Sequence, residues 1–201
     1  MNVQVPSRPG MIHGRFQPFH NGHLAYLLGA AARCDELYVG ITNPDPTRVR
    51  PDPLDPLRHL PESNPFTYAE RQLFVKAAAA GAGLDLARLH AVPFPVNEPE
   101  LWPAYVPAGA TQYIRLFSDW GRAKQERFVA AGYEVVVLDE GGAKEVSGTD
   151  VRAGLRAGDP AAWQPLVPAG VARLLESTGA AERLAAAGRL ATATSAAAWL
   201  R

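Results

Sequence analysis

The chain has 201 residues, 47% of them apolar, so it is long enough for one domain with a sizeable core and too short for two full domains. Twenty basic and twenty acidic residues balance, which argues against a global field that draws the chain to nucleic acid or to a membrane. The single cysteine, Cys34, excludes an internal disulfide, and no apolar run reaches the ~18 residues of a membrane span, so we expect a cytoplasmic protein.

Strand and helix patterns alternate along most of the chain. The strand candidates are residues 11–13, 36–41, 89–92, 112–117 and 133–138. The helix candidates are residues 22–32, 68–80, 122–131, 147–157 and 167–177, and Pro160 and Pro165 are expected to break the segment between the last two. Because each strand is followed by a helix, the pattern predicts an α/β protein with a doubly wound parallel sheet and a C-terminal helical segment.

Two segments fall outside this alternation. Residues 42–65 are rich in proline and predict a long loop that either contacts substrate or is passive, and its basic side chains are Arg48, Arg50, Arg58 and His59. Residues 178–201 are rich in alanine with weak apolar patterning, which fits a loose helix, an oligomer contact or a frayed tail. We therefore divide the chain into a domain over residues 1–177 and a tail over residues 178–201, and homo-oligomerisation stays open.

Two histidines lie three residues apart where the first strand becomes the first helix. The N–H groups of a helix's first turn have no intrahelical partner and carry a partial positive charge, so an anion is stabilised there. His20, His23 and Arg15 add side-chain donors at the same place, whereas His13 is expected to be a strand residue packed beside the turn. Taken alone, the histidine spacing also fits a surface accident or part of a metal site.

The residues around this pair form a specific pattern. Residues 14–23 have the sequence Gly-Arg-Phe-Gln-Pro-Phe-His-Asn-Gly-His, after a strand and before an amphipathic helix. This resembles the His-x-Gly-His signature of the nucleotidylyltransferase superfamily, and most closely its nicotinamide mononucleotide (NMN) adenylyltransferase-like branch. Residues 64–71 and 147–152 are similar to two further motifs of that branch, in the same order along the chain. The resemblance implies a Rossmann-like five-stranded parallel sheet and transfer of a nucleotidyl group from a nucleoside triphosphate.

The resemblance also implies roles for individual residues. His20, His23 and Arg152 would contact the phosphates and stabilise the charge that develops in the transition state. Arg71 and Trp102 would contact the acceptor substrate. The remaining nucleotide-binding residues would be Gly14, Arg15, Phe16, Gly22, Ser147, Gly148 and Thr149, with Ser147 offering its hydroxyl as a donor.

The chemistry needs few groups from the protein. An acceptor that is itself a phosphate or phosphonate is already ionised at neutral pH, so neither a catalytic base nor an enzyme nucleophile is required. Catalysis then consists of positioning and charge neutralisation. We expect Mg²⁺ to arrive with the triphosphate and predict no protein-held metal site.

Three departures from the NMN adenylyltransferase pattern bear on the substrates. Pro99 replaces the asparagine one turn before Trp102, and a Ser-Gly-Asn stretch after the fourth strand is missing. The proline-rich loop is longer and more basic, and Trp120, Arg122 and Lys124 follow the fourth strand as substrate-binding candidates. Because arginine and lysine recognise small anions directly, this pattern resembles the cytidylyltransferases of phosphonate biosynthesis, which use CTP.

Two alternatives are kept. The first is an NMN adenylyltransferase that joins ATP and NMN. The second is a nucleotide-binding sensor or partner-binding protein that has kept the fold and lost turnover. The unusual tail and the neutral net charge are consistent with this class.

Overall fold

Five parallel strands form the centre of the computed structural model, which describes residues 8–51, 59–140, 146–187 and 189. The strands are β1 (Pro9–Gly14), β2 (Glu36–Thr42), β3 (Leu89–Phe94), β4 (Thr111–Leu116) and β5 (Val135–Glu140). Their order in the sheet is β3-β2-β1-β4-β5. All four pairs of neighbours run parallel, which confirms the predicted Rossmann-like α/β class.

The helices follow the predicted alternation, with two differences. They are α1 (Asn21–Ala31), α2 (Tyr68–Gly81), α3 (Asp119–Ala130), α4 (Gly148–Ala157), α5 (Pro160–Trp163) and α6 (Ala169–Ser177). Helix α3 begins before the predicted residue 122, because the Ser118 side chain accepts a hydrogen bond from the N–H of Gly121 and caps the helix. Pro160 begins a helical turn instead of breaking one, because Asp159 caps it and proline is tolerated in a first turn.

The register of β1 opens a crevice in the middle of the sheet. Strand β1 pairs with β2 along its whole length, from Pro9 to Gly14. It pairs with β4 only at Gly10 and Met11, so the carboxyl ends of β1 and β4 separate. The strand order also reverses direction at this point, which is where open α/β sheets place their ligands.

The sheet is covered on both faces. On one face, which we call the α1/α2 face, α1 and α2 pack with residues of α4 and α6 into the larger core cluster. On the opposite face, the α3 face, a smaller cluster forms around Met11, Phe94, Trp102 and Phe128. The crevice between β1 and β4 therefore lies where helices from both faces meet.

The loop and the tail are described in part. The proline-rich loop contains 3₁₀ turns at Pro46–Arg48 and Pro61–Ser63, while residues 52–58, with Arg58, lie outside the described residues. Residues 180–187 are helical, and Ala180 and Leu184 are buried in the core of the α1/α2 face. Residues 190–201 lie outside the described residues, so the division after residue 177 stays a prediction. Within the described ranges, no helix is both long and apolar enough to span a membrane.

Candidate active site

A cavity of about 580 Å³ lies at the carboxyl ends of β1 and β4. The first turns of α1, α3 and α4 surround it. The sequence-predicted residues that line it are Arg15, His20, Gly22, His23, Trp120, Lys124, Ser147, Gly148, Thr149 and Arg152. Segments more than one hundred residues apart in the chain therefore meet around one space.

The two histidines form a stacked pair at the start of α1. His20 is the N-cap residue and His23 lies in the first turn, with ring centroids 3.6 Å apart and planes 26° apart. The backbone N–H of His20 donates to Nδ1 of His23 at 3.3 Å, so a neutral His23 carries its proton on Nε2. Phe16 and Phe19 pack against the His23 ring, with centroid distances of 4.9 and 5.4 Å. The imidazole orientation is thus set by local packing before any ligand binds.

The start of α4 supplies backbone donors. The Ser147 hydroxyl donates to the Asp150 carboxylate at 2.7 Å and accepts from the Asp150 N–H at 3.3 Å. The capping box engages this hydroxyl, so its role as a phosphate donor stays a prediction that requires the hydroxyl to leave Asp150. The N–H groups of Gly148 and Thr149 belong to the first turn, which has no intrahelical acceptors, so they are the donors that α4 offers to an anion.

Arg152 is held rigidly one turn into α4. Its side chain is buried, with Nη1 donating to the carbonyl of Gln17 at 2.7 Å and Nη2 donating to Oγ1 of Thr149 at 3.1 Å. Burial, together with the positive charge of Arg15, lowers the pKa of Arg152 to about 10, so it remains protonated at neutral pH. A methyl group on Gly148 would lie 3.0 Å from the Gln17 carbonyl oxygen and 3.1 Å from Nη1, so any larger residue would have to push one of these neighbours aside.

The starts of α1 and α4 lie against each other. A methyl group on Gly22 would lie 3.2 Å from the His20 ring and 3.7 Å from the carbonyl oxygen of Val146. Asn21 donates from Nδ2 to the carbonyl of Pro165 at 2.8 Å and ties α1 to the C-terminal helical segment. The histidine pair and the first turn of α4 therefore face the same cavity.

The cavity carries more positive than negative charge. Its lining includes the cationic side chains of Arg15, Arg115, Lys124 and Arg152. Among the described lining residues, Asp139 is the only carboxylate, and Arg115 donates to it from Nη2 at 2.8 Å and from Nε at 3.2 Å. This excess of cationic groups in a partly buried space favours a multiply charged anionic ligand.

Arg71 has a structural role that the sequence did not indicate. Its guanidinium donates to the carbonyls of Arg15 at 2.9 Å, Thr42 at 2.6 Å and Asn43 at 2.8 Å, and the side chain is 2% exposed. Burial lowers its pKa to about 10. The side chain does not line the cavity and instead links the ends of β1 and β2, so a substrate contact of Arg71 stays a prediction that the geometry does not favour.

Trp102 is a core residue. The ring has no exposed surface, its centroid lies 4.4 Å from that of Phe128 and 5.6 Å from that of Phe94, and Nε1 donates to the carbonyl of Pro95 at 3.0 Å. Because its faces pack in the core of the α3 face, the indole has no surface on which a substrate could stack. The substrate contact of Trp102 stays a prediction, and the burial of its ring does not favour it.

Three further predicted site residues, Arg122, Phe16 and Gly14, lie outside the cavity lining. Arg122 lies outside the cavity, where its exposed side chain donates to the Glu140 carboxylate at 3.1 Å. Phe16 is fully buried, with a backbone φ of 51°, and packs against the His23 ring instead of lining the cavity. Gly14 also lies behind the lining, because a methyl group there would come within 3.0 Å of the Phe16 ring.

Among the lining residues that the sequence missed are Arg115, Gln17 and His13. Arg115 on β4 donates from Nη1 to the carbonyl of Gly22 at 2.8 Å, so it fixes the start of α1 to the sheet. Gln17 exchanges two hydrogen bonds with the backbone of Phe66, at 3.0 and 2.9 Å. Of these three residues, only His13 could have been predicted to line the cavity. It lies at the carboxyl end of the central strand, and the carboxyl ends of such strands border the ligand crevice.

The protein has a Rossmann-like sheet, and two helix starts, a histidine pair and a buried arginine surround one cavity. These groups are of the kind that suits phosphate oxygens. The profile of the cytidylyltransferase-like family matches residues 11–154. The chain belongs to this family, and its relatives are nucleotidyltransferases.

Curated relatives support this assignment over nearly the whole chain. A phosphonoformate cytidylyltransferase of Streptomyces viridochromogenes is 46% identical over 92% of this chain and 100% of its own length. Nicotinamide-nucleotide adenylyltransferases are more distant. That of Pyrobaculum neutrophilum is 34% identical over 87% of this chain and 92% of its own length. That of Ignicoccus hospitalis is 30% identical over 85% of this chain and 92% of its own length.

Solved structures confirm the fold. A bifunctional NMN adenylyltransferase/ADP-ribose pyrophosphatase of Francisella tularensis, in complex with AMP and a manganese ion, superposes with a TM-score of 0.63 at 16% identity. The match covers 97% of this chain and 56% of that protein, so the chain spans just over half of its length.

Proposed function

We propose that this protein transfers the cytidylyl group of CTP to a small phosphonate acceptor and releases pyrophosphate. The observation that carries the proposal is the convergence of His20, His23 and Arg152 with the start of α4 on one cationic cavity. The 46% identity to a phosphonoformate cytidylyltransferase, over the full length of that relative, favours CTP and a phosphonate over ATP and NMN.

The triphosphate would lie between α1 and α4. The N–H groups of the first turn of α4 and the guanidinium of Arg152 would bind the β- and γ-phosphates, because a helix start and a planar fork of donors both suit phosphate oxygens. His20 and His23 would donate to the α- and β-phosphates, where negative charge builds up as pyrophosphate leaves. Arg15, at the edge of the cavity, would bind the acceptor or an α-phosphate oxygen.

The reaction balances without an acid or base from the protein. An oxygen of the ionised acceptor forms a bond to the α-phosphorus, and the bond from that phosphorus to the bridging oxygen of the β-phosphate breaks. The electron pair of the broken bond leaves with pyrophosphate. The protein's contribution is to hold the two anions in line and to stabilise the charge on the transferring group.

Mg²⁺ would enter as part of the substrate. Asp139 is the only carboxylate lining the described cavity, and Arg115 binds it, so this residue set suits a metal that is coordinated mainly by phosphate oxygens and water. Mg²⁺ in that form lowers the negative charge of the triphosphate before the acceptor approaches.

NMN adenylyltransferase activity is the second candidate, supported by relatives with 30–34% identity. Against it, Trp102 is buried and offers no stacking surface for a nicotinamide ring. A nucleotide-binding protein without turnover is the third candidate, although the cavity keeps the donors that the transfer chemistry uses.

A single assay separates the three candidates. Pyrophosphate release is measured with CTP or ATP, each paired with phosphonoformate, other small phosphonates or NMN, in the presence of Mg²⁺. We expect release with CTP and a phosphonate. Faster release with ATP and NMN would replace the proposal by adenylyl transfer to NMN, and triphosphate binding without release for any pair would support the sensor.

A further inference from the structure

The side chain of Gln17 is hydrogen-bonded through both of its polar atoms. Oε1 accepts from the N–H of Phe66 at 2.9 Å, and Nε2 donates to the Phe66 carbonyl at 3.0 Å. Gln17 is 3% exposed, so both bonds are shielded from water. Phe66 is itself fixed, because its buried ring packs edge-on against that of Phe74, with the centroids 5.4 Å apart. The amide therefore holds residue 17 against a rigid point just before α2.

The residue before Gln17 has an unfavourable backbone conformation. Phe16 has a φ of 51°, in the left-handed region that bulky residues rarely adopt. Such a conformation persists where surrounding contacts hold it. On the N-terminal side, Arg71 donates to the carbonyl of Arg15 at 2.9 Å. On the C-terminal side, the Gln17 amide binds Phe66, so the chain around the start of α2 holds this turn from both sides.

The backbone carbonyl of Gln17 transmits this constraint to Arg152. Nη1 of Arg152 donates to the carbonyl at 2.7 Å, and Nη2 donates to Oγ1 of Thr149 at 3.1 Å. These two bonds fix the plane of the guanidinium, and each of the two nitrogens carries a second N–H. Because Arg152 lines the cavity, the direction of those N–H groups depends on where the Gln17 carbonyl lies. If the turn at Phe16 relaxed, the carbonyl would move and the guanidinium would turn with it.

We propose that Gln17 is a positioning residue for the triphosphate. Its amide holds the turn to Phe66, and its carbonyl thereby orients the Arg152 guanidinium so that the other N–H groups meet the β- and γ-phosphates. A nucleoside monophosphate lacks these two phosphates, so its binding should not depend on Gln17. The proposal rests on the proposed function, which assigns the β- and γ-phosphates to Arg152, but it depends neither on the base nor on the acceptor.

The test compares nucleotides that differ only in the β- and γ-phosphates. Titration calorimetry with Mg²⁺ measures the affinity for CTP and CMP, and for ATP and AMP, in wild type and in Gln17→Met. Methionine has nearly the length of glutamine and removes both hydrogen bonds to Phe66. Gln112→Met is the matched control, because Gln112 is also buried, donates to the carbonyl of Ala110 and lies outside the cavity lining. Gln17→Glu is the second variant, since it keeps the acceptor for the Phe66 N–H and loses only the donor.

Gln17→Met should weaken triphosphate binding about tenfold or more and leave monophosphate binding near that of wild type. The kcat/KM for the triphosphate should fall about 10- to 100-fold. Gln17→Glu should lose part of this affinity, and it decides the question if Gln17→Met does not fold. Gln112→Met should change neither affinity. Equal losses for triphosphate and monophosphate in a folded variant, or no loss for the triphosphate, overturn the proposal.

A double-mutant cycle with Arg152→Lys shows whether Gln17 acts through the arginine. Lysine cannot bridge Gln17 and Thr149, so Gln17→Met should change triphosphate affinity much less in the Arg152→Lys background than in wild type. An effect of the same size in both backgrounds would mean that Gln17 acts without Arg152, and it would overturn the positioning role.

Failure of the proposed function is recognised separately. If wild type binds CTP or ATP but releases no pyrophosphate with any acceptor, the transfer reaction is wrong, and the comparison of affinities still decides the role of Gln17. If wild type binds neither triphosphate, both proposals are wrong.

Discussion

Nη1 of Arg152 donates a 2.7 Å hydrogen bond to the backbone carbonyl of Gln17, a residue 135 positions earlier in the chain. This bond joins the first turns of α4 to the segment that leads from β1 into α1. The same guanidinium lines the cavity, so one side chain both assembles the site and presents positive charge to a ligand.

Replacing Arg152 with lysine should impair both turnover and stability. Lysine keeps the charge but cannot bridge Gln17 and Thr149, so kcat/KM should fall about 10²- to 10³-fold. The free energy of unfolding should fall by about 1–3 kcal/mol because a buried carbonyl loses its donor. Pyrophosphate release and urea denaturation measure the two effects. Arg156→Lys, on the same helix outside the cavity, is the control, and an equal loss of turnover there would contradict a specific role for Arg152.

His20→Asn and His23→Asn should each lower kcat by about 10²- to 10³-fold, because each imidazole is expected to bind charge that develops only in the transition state. Triphosphate binding, measured by titration calorimetry, should weaken far less than turnover. His90→Asn is the control, since His90 lies on β3 beside Glu36 and outside the cavity. A pair of variants that loses binding and turnover to the same extent would show that the histidines act only in substrate binding.

Arg71→Met should destabilise the fold before it affects chemistry. Three backbone carbonyls would lose their buried donor, so the free energy of unfolding should fall by about 3 kcal/mol or more. Urea denaturation measures this loss, and Lys76→Met, at an exposed position of the same helix, should leave stability nearly unchanged. Normal stability with a raised KM for the acceptor would instead support the substrate contact of Arg71 that the sequence predicts.

Gly148→Ala should reduce turnover about tenfold or more, because a methyl group there displaces either the Gln17 carbonyl or the Arg152 guanidinium. The comparison is Gly81→Ala near the end of α2, where no atom lies within 4 Å of the added methyl group. That substitution should raise the unfolding free energy by up to about 1 kcal/mol and leave turnover unchanged. Full activity of the Gly148→Ala protein would mean that the close approach of α4 to residue 17 is not needed for catalysis.

Removal of metal should affect the reaction and not the fold. Since Mg²⁺ is proposed to arrive with the triphosphate, EDTA should stop pyrophosphate release and leave the Tm of the ligand-free protein unchanged. Differential scanning calorimetry with and without EDTA tests this. A lower Tm in EDTA would point to a metal that the protein itself retains.

The sequence by itself determined the order of the strands and helices along the chain and the place of the turn that we propose binds phosphate. Those features depend on residues close together in the chain, such as Thr67 with Glu70 and Ser147 with Asp150, whose side chains cap α2 and α4. The run from Gly14 to His23 is equally local, and its strand, turn and helix start follow from neighbouring residues.

Only the tertiary structure decided which charged and aromatic side chains face the cavity. Arg71 and Arg115 carry the same guanidinium, yet one is buried against the carbonyls of Arg15 and Thr42 and the other lines the site. Trp102 turns into the core because Phe94 and Phe128, far from each other in the chain, pack around it. A side chain's surroundings are set by segments distant in sequence, and local patterns therefore indicate an element but not the partner that it meets.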